Sequence, residues 1–207
     1  MINRAAVYHF NEANADLARA SMRSCKKHMP SLPIVQMALS GTLPVPEADN
    51  VVWMEARDEF PDVLFKSYAE MHLYVREVLM LHSDVIVLRD LTGLFEGEFD
   101  VALPVREPKE MMGAYPQVRL QSGIVAVSRC HEFWVEWYYG GHLPEDWENG
   151  KFDVAFHAWL AGTTYKVKEL EGVIYTPDRN KHADWQGYGA LHYENRHRKE
   201  MMRKLWT

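Results

Sequence analysis

Met80-Leu81-His82-Ser83-Asp84-Val85-Ile86-Val87-Leu88 decides how the rest of the chain is read. A polar triplet, His82-Ser83-Asp84, interrupts the entry to a continuous β-branched run. Such a run reads as a strand buried on both faces, as at the centre of a parallel sheet, with Asp84 at its leading edge. Upstream, Val63, Leu64, Tyr68, Met71, His72, Val75 and Leu79 carry the spacing of an amphipathic helix over 62–79. Before that lie a strand over 5–10, a helix from Asn14 to just before Pro30 capped by Asn14 or Asp16, and strands over 33–39 and 51–54. Downstream, strands are expected over 100–104 and 123–127, followed by an aromatic-rich helix over 131–139. The last third reads as a helix over 152–160, short strands over 165–167 and 173–175, a polar loop over 178–189 and a basic helix over 194–205. Strands and helices alternate, so the class is α/β with a mostly parallel central sheet flanked by helices. The tract 107–117, with Pro108, Gly113 and Pro116, is the candidate mobile loop.

The 207 residues suit one domain, 1–207, with a sizeable core. Apolar residues at 47% and charged residues at 25% are ordinary globular usage and exclude disorder or a fibrous repeat. No apolar stretch approaches the ~18 residues of a membrane span. No export signal is read at the start, so a cytoplasmic location is expected. Cys25 and Cys130 lack metal-knuckle spacing and read as two free thiols. The net charge of -6 argues against a surface devoted to gripping nucleic acid. Only the stretch with Arg196, Arg198, Lys199, Arg203 and Lys204 is locally basic.

A carboxylate at the edge of a buried strand needs a partner, and a metal ion is one common partner. Magnesium and manganese take oxygen ligands, and imidazole also suits manganese. His82 and Asp84 can therefore present two ligands to one ion. The same residues equally describe a turn cap beside a half-buried histidine.

The stretch resembles the Tyr-Leu-Asp-Ser-Asp-Val-Ile-Val segment of glycosyltransferases with the GT-A fold, family-8-like enzymes in particular. In that family the segment is the DxD motif, whose last Asp holds manganese against the diphosphate of a nucleotide-sugar donor; here that position is Asp84, with His82 in place of the first acid and Ser83 between them. Gln121-Ser122-Gly123-Ile124-Val125 is similar to the family's Asn-Ser-Gly-Val strand facing the donor sugar, with Gln121 for Asn. Asp153 resembles the Asp of an Asp-Gln pair opening the next helix, with Val154 for Gln. The tract from Ala190 to Lys199 resembles the His-Phe-x-Gly-x-x-Lys segment, which makes His192 a metal ligand and Lys199, with Arg196 beside it, a donor-phosphate contact. The resemblance runs from Val7 to about Lys199, each motif degenerate but all in the family's order.

That resemblance implies a metal-dependent transferase using manganese or magnesium, a nucleotide-diphosphate sugar such as a UDP-sugar, and retention of anomeric configuration. Asp84, Gln121 and Asp153 would serve the reaction; Tyr8, His9, Asn11 and Lys66 would meet the nucleotide. The acceptor is left open among a saccharide, a protein, a small molecule and a modified DNA base of the phage kind. A catalytically weak or inactive nucleotide-sugar-binding protein is the rival reading, carried by His82. The aromatic group Phe133, Trp134, Trp137, Tyr138 and Tyr139 reads as core, and Trp185 as a loop residue suited to an acceptor.

Overall fold

The first strand, β1 (Ile2–His9), sets the architecture because its residues bury on both faces: Ala6 and Tyr8 face one apolar cluster, Ala5 and Val7 the other. A strand of that kind belongs inside a sheet, and β1 is paired on both sides. The computed structural model describes residues 2–39, 42–54, 75–105, 119–120, 125–140, 152–175, 187–193 and 196–206. Beside β1, β2 (Ile34–Leu39) and β4 (Val75–His82) both run parallel to it, and β3 (Asn50–Met54) lies parallel to β2. Beyond β4, β7 (Val125–Ser128) is antiparallel, β6 (Val101–Pro104) is antiparallel to β7, and β8 (Val167–Leu170) is parallel to β6. Among the described residues the large sheet thus has the order β3-β2-β1-β4-β7-β6-β8 and is mostly parallel, as expected.

One face is covered by α1 (Ala15–His28), whose Ala18, Met22 and Cys25 meet Tyr8, Phe10, Leu79 and Leu81. Asp16 in its first turn and Lys26, Lys27 and His28 in its last complement the helix dipole. Pro30 follows its end. The opposite face is covered by α2 (His131–Gly140) and α3 (Phe152–Ala161), whose Phe133, Trp134, Trp137 and Phe156 pack on Val7, Val78 and Met80. Trp134 donates its indole N–H to Ser128 Oγ at 2.8 Å, so the buried indole is satisfied. The core reading of Phe133, Trp134 and Trp137 holds, whereas Tyr139 is exposed.

A second, small sheet stands at the carboxyl ends of β1 and β4, ordered β5 (Val85–Val87), β10 (Ala190–His192), β9 (Ile174–Tyr175). β5 runs antiparallel to β10. Its other edge is held by α1: Ser21 Oγ donates to the Val85 carbonyl, and Val87 N–H donates to Ser24 Oγ at 2.9 Å. The last helix, α4 (Arg196–Trp206), packs Met202 into a cluster with Leu17, Ala20, Ile86, Leu191 and Tyr193.

Some expectations are corrected. The helix expected over 62–79 gives way, from Val75 on, to the strand β4, because Val78 to Leu81 form an unbroken buried run between β1 and β7; residues 62–74 lie outside the described ones. Of the run 85–88, Val85 to Val87 are buried and Leu88 half-buried, but as β5 of the small sheet and the residue after it, not as the central parallel strand. Asp84 accordingly sits in the turn Ser83-Asp84 between β4 and β5, not within a central strand. The strand expected over 165–167 falls at Val167–Leu170. The candidate mobile loop 107–117 and Trp185 lie outside the described residues. Cys25 and Cys130 are free, and burial pushes the Cys25 thiol up to about 12.

Candidate active site

The strand order β2-β1-β4 makes the carboxyl ends of β1 and β4 a switch point, since the chain leaves β1 toward one neighbour and returns to the other. His9 ends β1 directly beside His82, which ends β4. Crevices of this kind are where open α/β sheets bind ligands. A cleft of about 220 Å³ opens there, lined by His9, Phe10, Asn11, Asn14, His82, Ser83, Asp84 and Lys199.

Asp84 is the centre of the site and is nearly fully buried. Its Oδ1 lies 3.6 Å from His82 Nδ1 and 3.5 Å from His192 Nε2, both too long for good hydrogen bonds. Its Oδ2 lies 3.1 Å from Lys199 Nζ. Asp84 Oδ1, His82 Nε2 and His192 Nδ1 are buried without a hydrogen-bond partner among the described residues. Burial alone would raise the Asp84 carboxyl, but the neighbouring His192 and Lys199 outweigh it and hold the carboxyl below its ordinary range. Asp84 is therefore a carboxylate at neutral pH, with one oxygen neutralised by Lys199 and the other open.

Donor atoms from His82, Asp84 and His192 all lie within 4.8 Å of one another, close enough to share one cation. The orphaned carboxylate oxygen between two imidazoles is the observation that fits a metal to this place. The backbone fixes the three residues relative to one another. His192 pairs with Val85 across the β5–β10 ladder, and Tyr193 N–H donates to the Asp84 carbonyl at 2.9 Å. The His82 and His192 rings meet edge to face with centroids 6.0 Å apart.

Lys199 is aimed by the packing of α4. Lys199, Met202, Arg203 and Trp206 recur at the i, i+3, i+4, i+7 spacing of one helix face. Met202 is buried against Leu17 and Tyr193, Arg203 Nε reaches Asp16 Oδ2 at 2.6 Å, and Trp206 Nε1 donates to the Tyr193 hydroxyl at 3.1 Å. That leaves Lys199 on the same face over Asp84.

The structure thus brings together His9, Asn11, His82, Ser83, Asp84, His192 and Lys199. The Tyr8 side chain is fully buried against α1, its hydroxyl meets Ser21 Oγ at 3.2 Å, and it is not among the residues lining the cleft. Lys66 and Gln121, and the side chains of Asp153 and Arg196, lie outside what is described. Two lining residues were not anticipated. Phe10 reads in the sequence only as the end of a strand, and Asn14 only as a helix cap; Asn14 Nδ2 in fact donates to Asn11 Oδ1 at 2.9 Å and holds it at the rim. The pairing of Lys199 with Asp84 was missed as well; the spacing of Lys199 with Met202 and Arg203 marks a shared helix face but not the partner that face meets.

No protein-family model matches this sequence, and no curated protein matches it in sequence. Solved structures do match it in fold. The galactosyltransferase LgtC, in complex with donor and acceptor sugar analogs, superposes with a TM-score of 0.63 over 93% of this chain and 87% of its own, at 13% identity. The glycosyltransferase GlyE of Streptococcus pneumoniae TIGR4 superposes with a TM-score of 0.60 over all of this chain and 59% of its own, at 18% identity. The fold is therefore the GT-A-like fold of these glycosyltransferases.

Proposed function

We propose that this chain is a glycosyltransferase that moves a sugar from a nucleotide-diphosphate donor, a UDP-sugar, to an acceptor, with a divalent ion held by His82, Asp84 and His192. The observation that carries the reading is the convergence of those three residues and Lys199 at the switch point of a sheet shared with LgtC, which is known with donor and acceptor sugar analogs. In such a transfer negative charge grows on the departing diphosphate as the sugar becomes cation-like. A bound divalent ion supplies charge stabilisation to that leaving group.

The chain's own residues divide the remaining work. Asp84 anchors the site and orients Lys199, whose ammonium can turn from the carboxylate to the developing phosphate charge. His9, Asn11 and Ser83 line the cleft where the nucleotide would lie. Gln121 and Asp153 take the sugar hydroxyls on this reading, and Lys66 and Arg196 the nucleotide and phosphates. Burial of Asp84 and His192 limits water near the reacting bond. Retention of configuration is part of the same proposal and asks for no dedicated general base.

One observation favours a second reading, in which the chain binds a nucleotide sugar without turning it over: Lys199 already neutralises Asp84, and His82 adds no negative charge. Two cations of α4, Lys199 and Arg203, are committed to Asp84 and Asp16, which weighs against a DNA acceptor gripped along that helix. The test is release of UDP from a panel of UDP-sugars with manganese, with and without chelator. Metal-dependent release supports transfer; tight binding of the donor without release supports the second reading.

A further inference from the structure

The ligand set at this site is two imidazoles and one carboxylate oxygen, and an ammonium stands against the other oxygen. Charge alone holds a hard ion such as magnesium, which prefers oxygen ligands and keeps much of its water. Here that charge is missing, since Lys199 at 3.1 Å offsets the single negative charge of Asp84. What remains is donor chemistry. Imidazole nitrogen binds late first-row ions far better than magnesium, and affinity for nitrogen-containing sites rises from manganese toward cobalt and beyond. Two of the three spacings agree: Asp84 Oδ1 stands 3.6 Å from His82 Nδ1 and 3.5 Å from His192 Nε2, with all three ligand atoms within 4.8 Å of one another. Ligands about 2.0–2.2 Å from a tetrahedral ion stand roughly 3.3–3.6 Å apart.

We infer that His82 makes this site selective for a nitrogen-preferring dication of the cobalt and zinc kind, bound by the protein before any donor arrives, over magnesium and manganese. The inference rests on the reading of His82, Asp84 and His192 as a metal site but not on sugar transfer. His82 is one third exposed at its side chain, so replacing it leaves the core untouched.

The experiment is calorimetric titration of the full chain with cobalt, zinc, manganese and magnesium chlorides, without nucleotide, together with the visible absorption of the cobalt form. The expected result is cobalt and zinc binding about tenfold or more tighter than manganese, magnesium giving no heat, and a cobalt spectrum of mixed nitrogen and oxygen ligation. His82→Asp should narrow or reverse the preference for cobalt over manganese, and His82→Ala, which removes a direct ligand, should weaken cobalt by at least the ~10–100-fold that loss of an outer-shell partner costs. Equal binding of all four ions by the unaltered chain overturns the inference. So does a cobalt affinity and spectrum unchanged by His82→Ala. UDP release is measured in parallel, so the two readings fail separately: selective cobalt binding with no release under any ion leaves the inference standing and removes transfer, and release with unselective binding does the reverse.

Discussion

Asp16 on the first helix and Arg203 on the last are joined by a charged hydrogen bond across 187 positions of sequence, one helical turn from where Lys199 meets Asp84. The guanidinium beside it holds the Asp16 carboxyl below its usual range. A depressed carboxyl contributes stability that is present above its unfolded value, about pH 4, and is lost as pH falls through the folded value. The clamp should therefore loosen only in acid. Both side chains are substantially exposed, so its worth is about 0.2–1 kcal/mol. Asp16→Asn should lower stability by that amount at pH 7 and by little near pH 3, as measured by urea unfolding at the two pH values. An equal loss at both would show that the pair contributes nothing through charge.

Replacing Asp84 by asparagine keeps shape and removes the charge on which His82, His192 and Lys199 converge. Metal affinity should fall, and donor turnover should drop on the order of a hundredfold or more, the scale of losing a main electrostatic element of a transfer site. The far-ultraviolet circular dichroism should be unchanged. A folded Asp84→Asn protein with ordinary turnover would remove Asp84 from the site.

Tyr8 makes the opposite case. Its hydroxyl pairs with Ser21 inside the core, so Tyr8→Phe should cost about 1 kcal/mol of stability and leave donor binding as it was. A changed donor affinity at unchanged stability would return Tyr8 to the nucleotide site.

Gly189 leads into β10 with no room for a methyl group. A Cβ there would stand 2.6 Å from Leu91 Cδ2 and 3.2 Å from the Val173 carbonyl oxygen, while Gly189 also trades backbone hydrogen bonds with Val173 and Leu88. Gly189→Ala should cost about 1–3 kcal/mol through overpacking. Because β10 carries His192, metal affinity should fall with it; calorimetry on the same samples checks both.

Much of this was legible in the residues. The continuous apolar run around Ala5 to Tyr8 and the apolar stripe of α1 announce a buried strand and the helix that covers it, the first by its shortness and polar flank and the second by its period. The β4 strand was hidden because Val75 and Leu79 also continue the helical spacing of Tyr68, Met71 and His72. Local pattern cannot choose between the two, and pairing with β1 and β7 does. β10, at three residues, is too short to show any period, and His192 was found by likeness of motif alone. The aim of Lys199 at Asp84 depends on how α4 docks on α1, which no local stretch encodes. The burial of Tyr8 was not legible either, because a tyrosine near the end of a strand looks the same whether it points into the core or out of it.

The antiparallel ladder between β5 and β10 has a consequence for how the protein comes into being. Asp84 emerges from the ribosome long before His192 and Lys199, so a chain still being synthesised carries a carboxylate with nothing to hold. The third residue of the proposed metal site, His192, arrives only with β10, and the offsetting Lys199 only with α4. An ion held as proposed would thereby record that synthesis has passed β10 and that β10 has docked against β5.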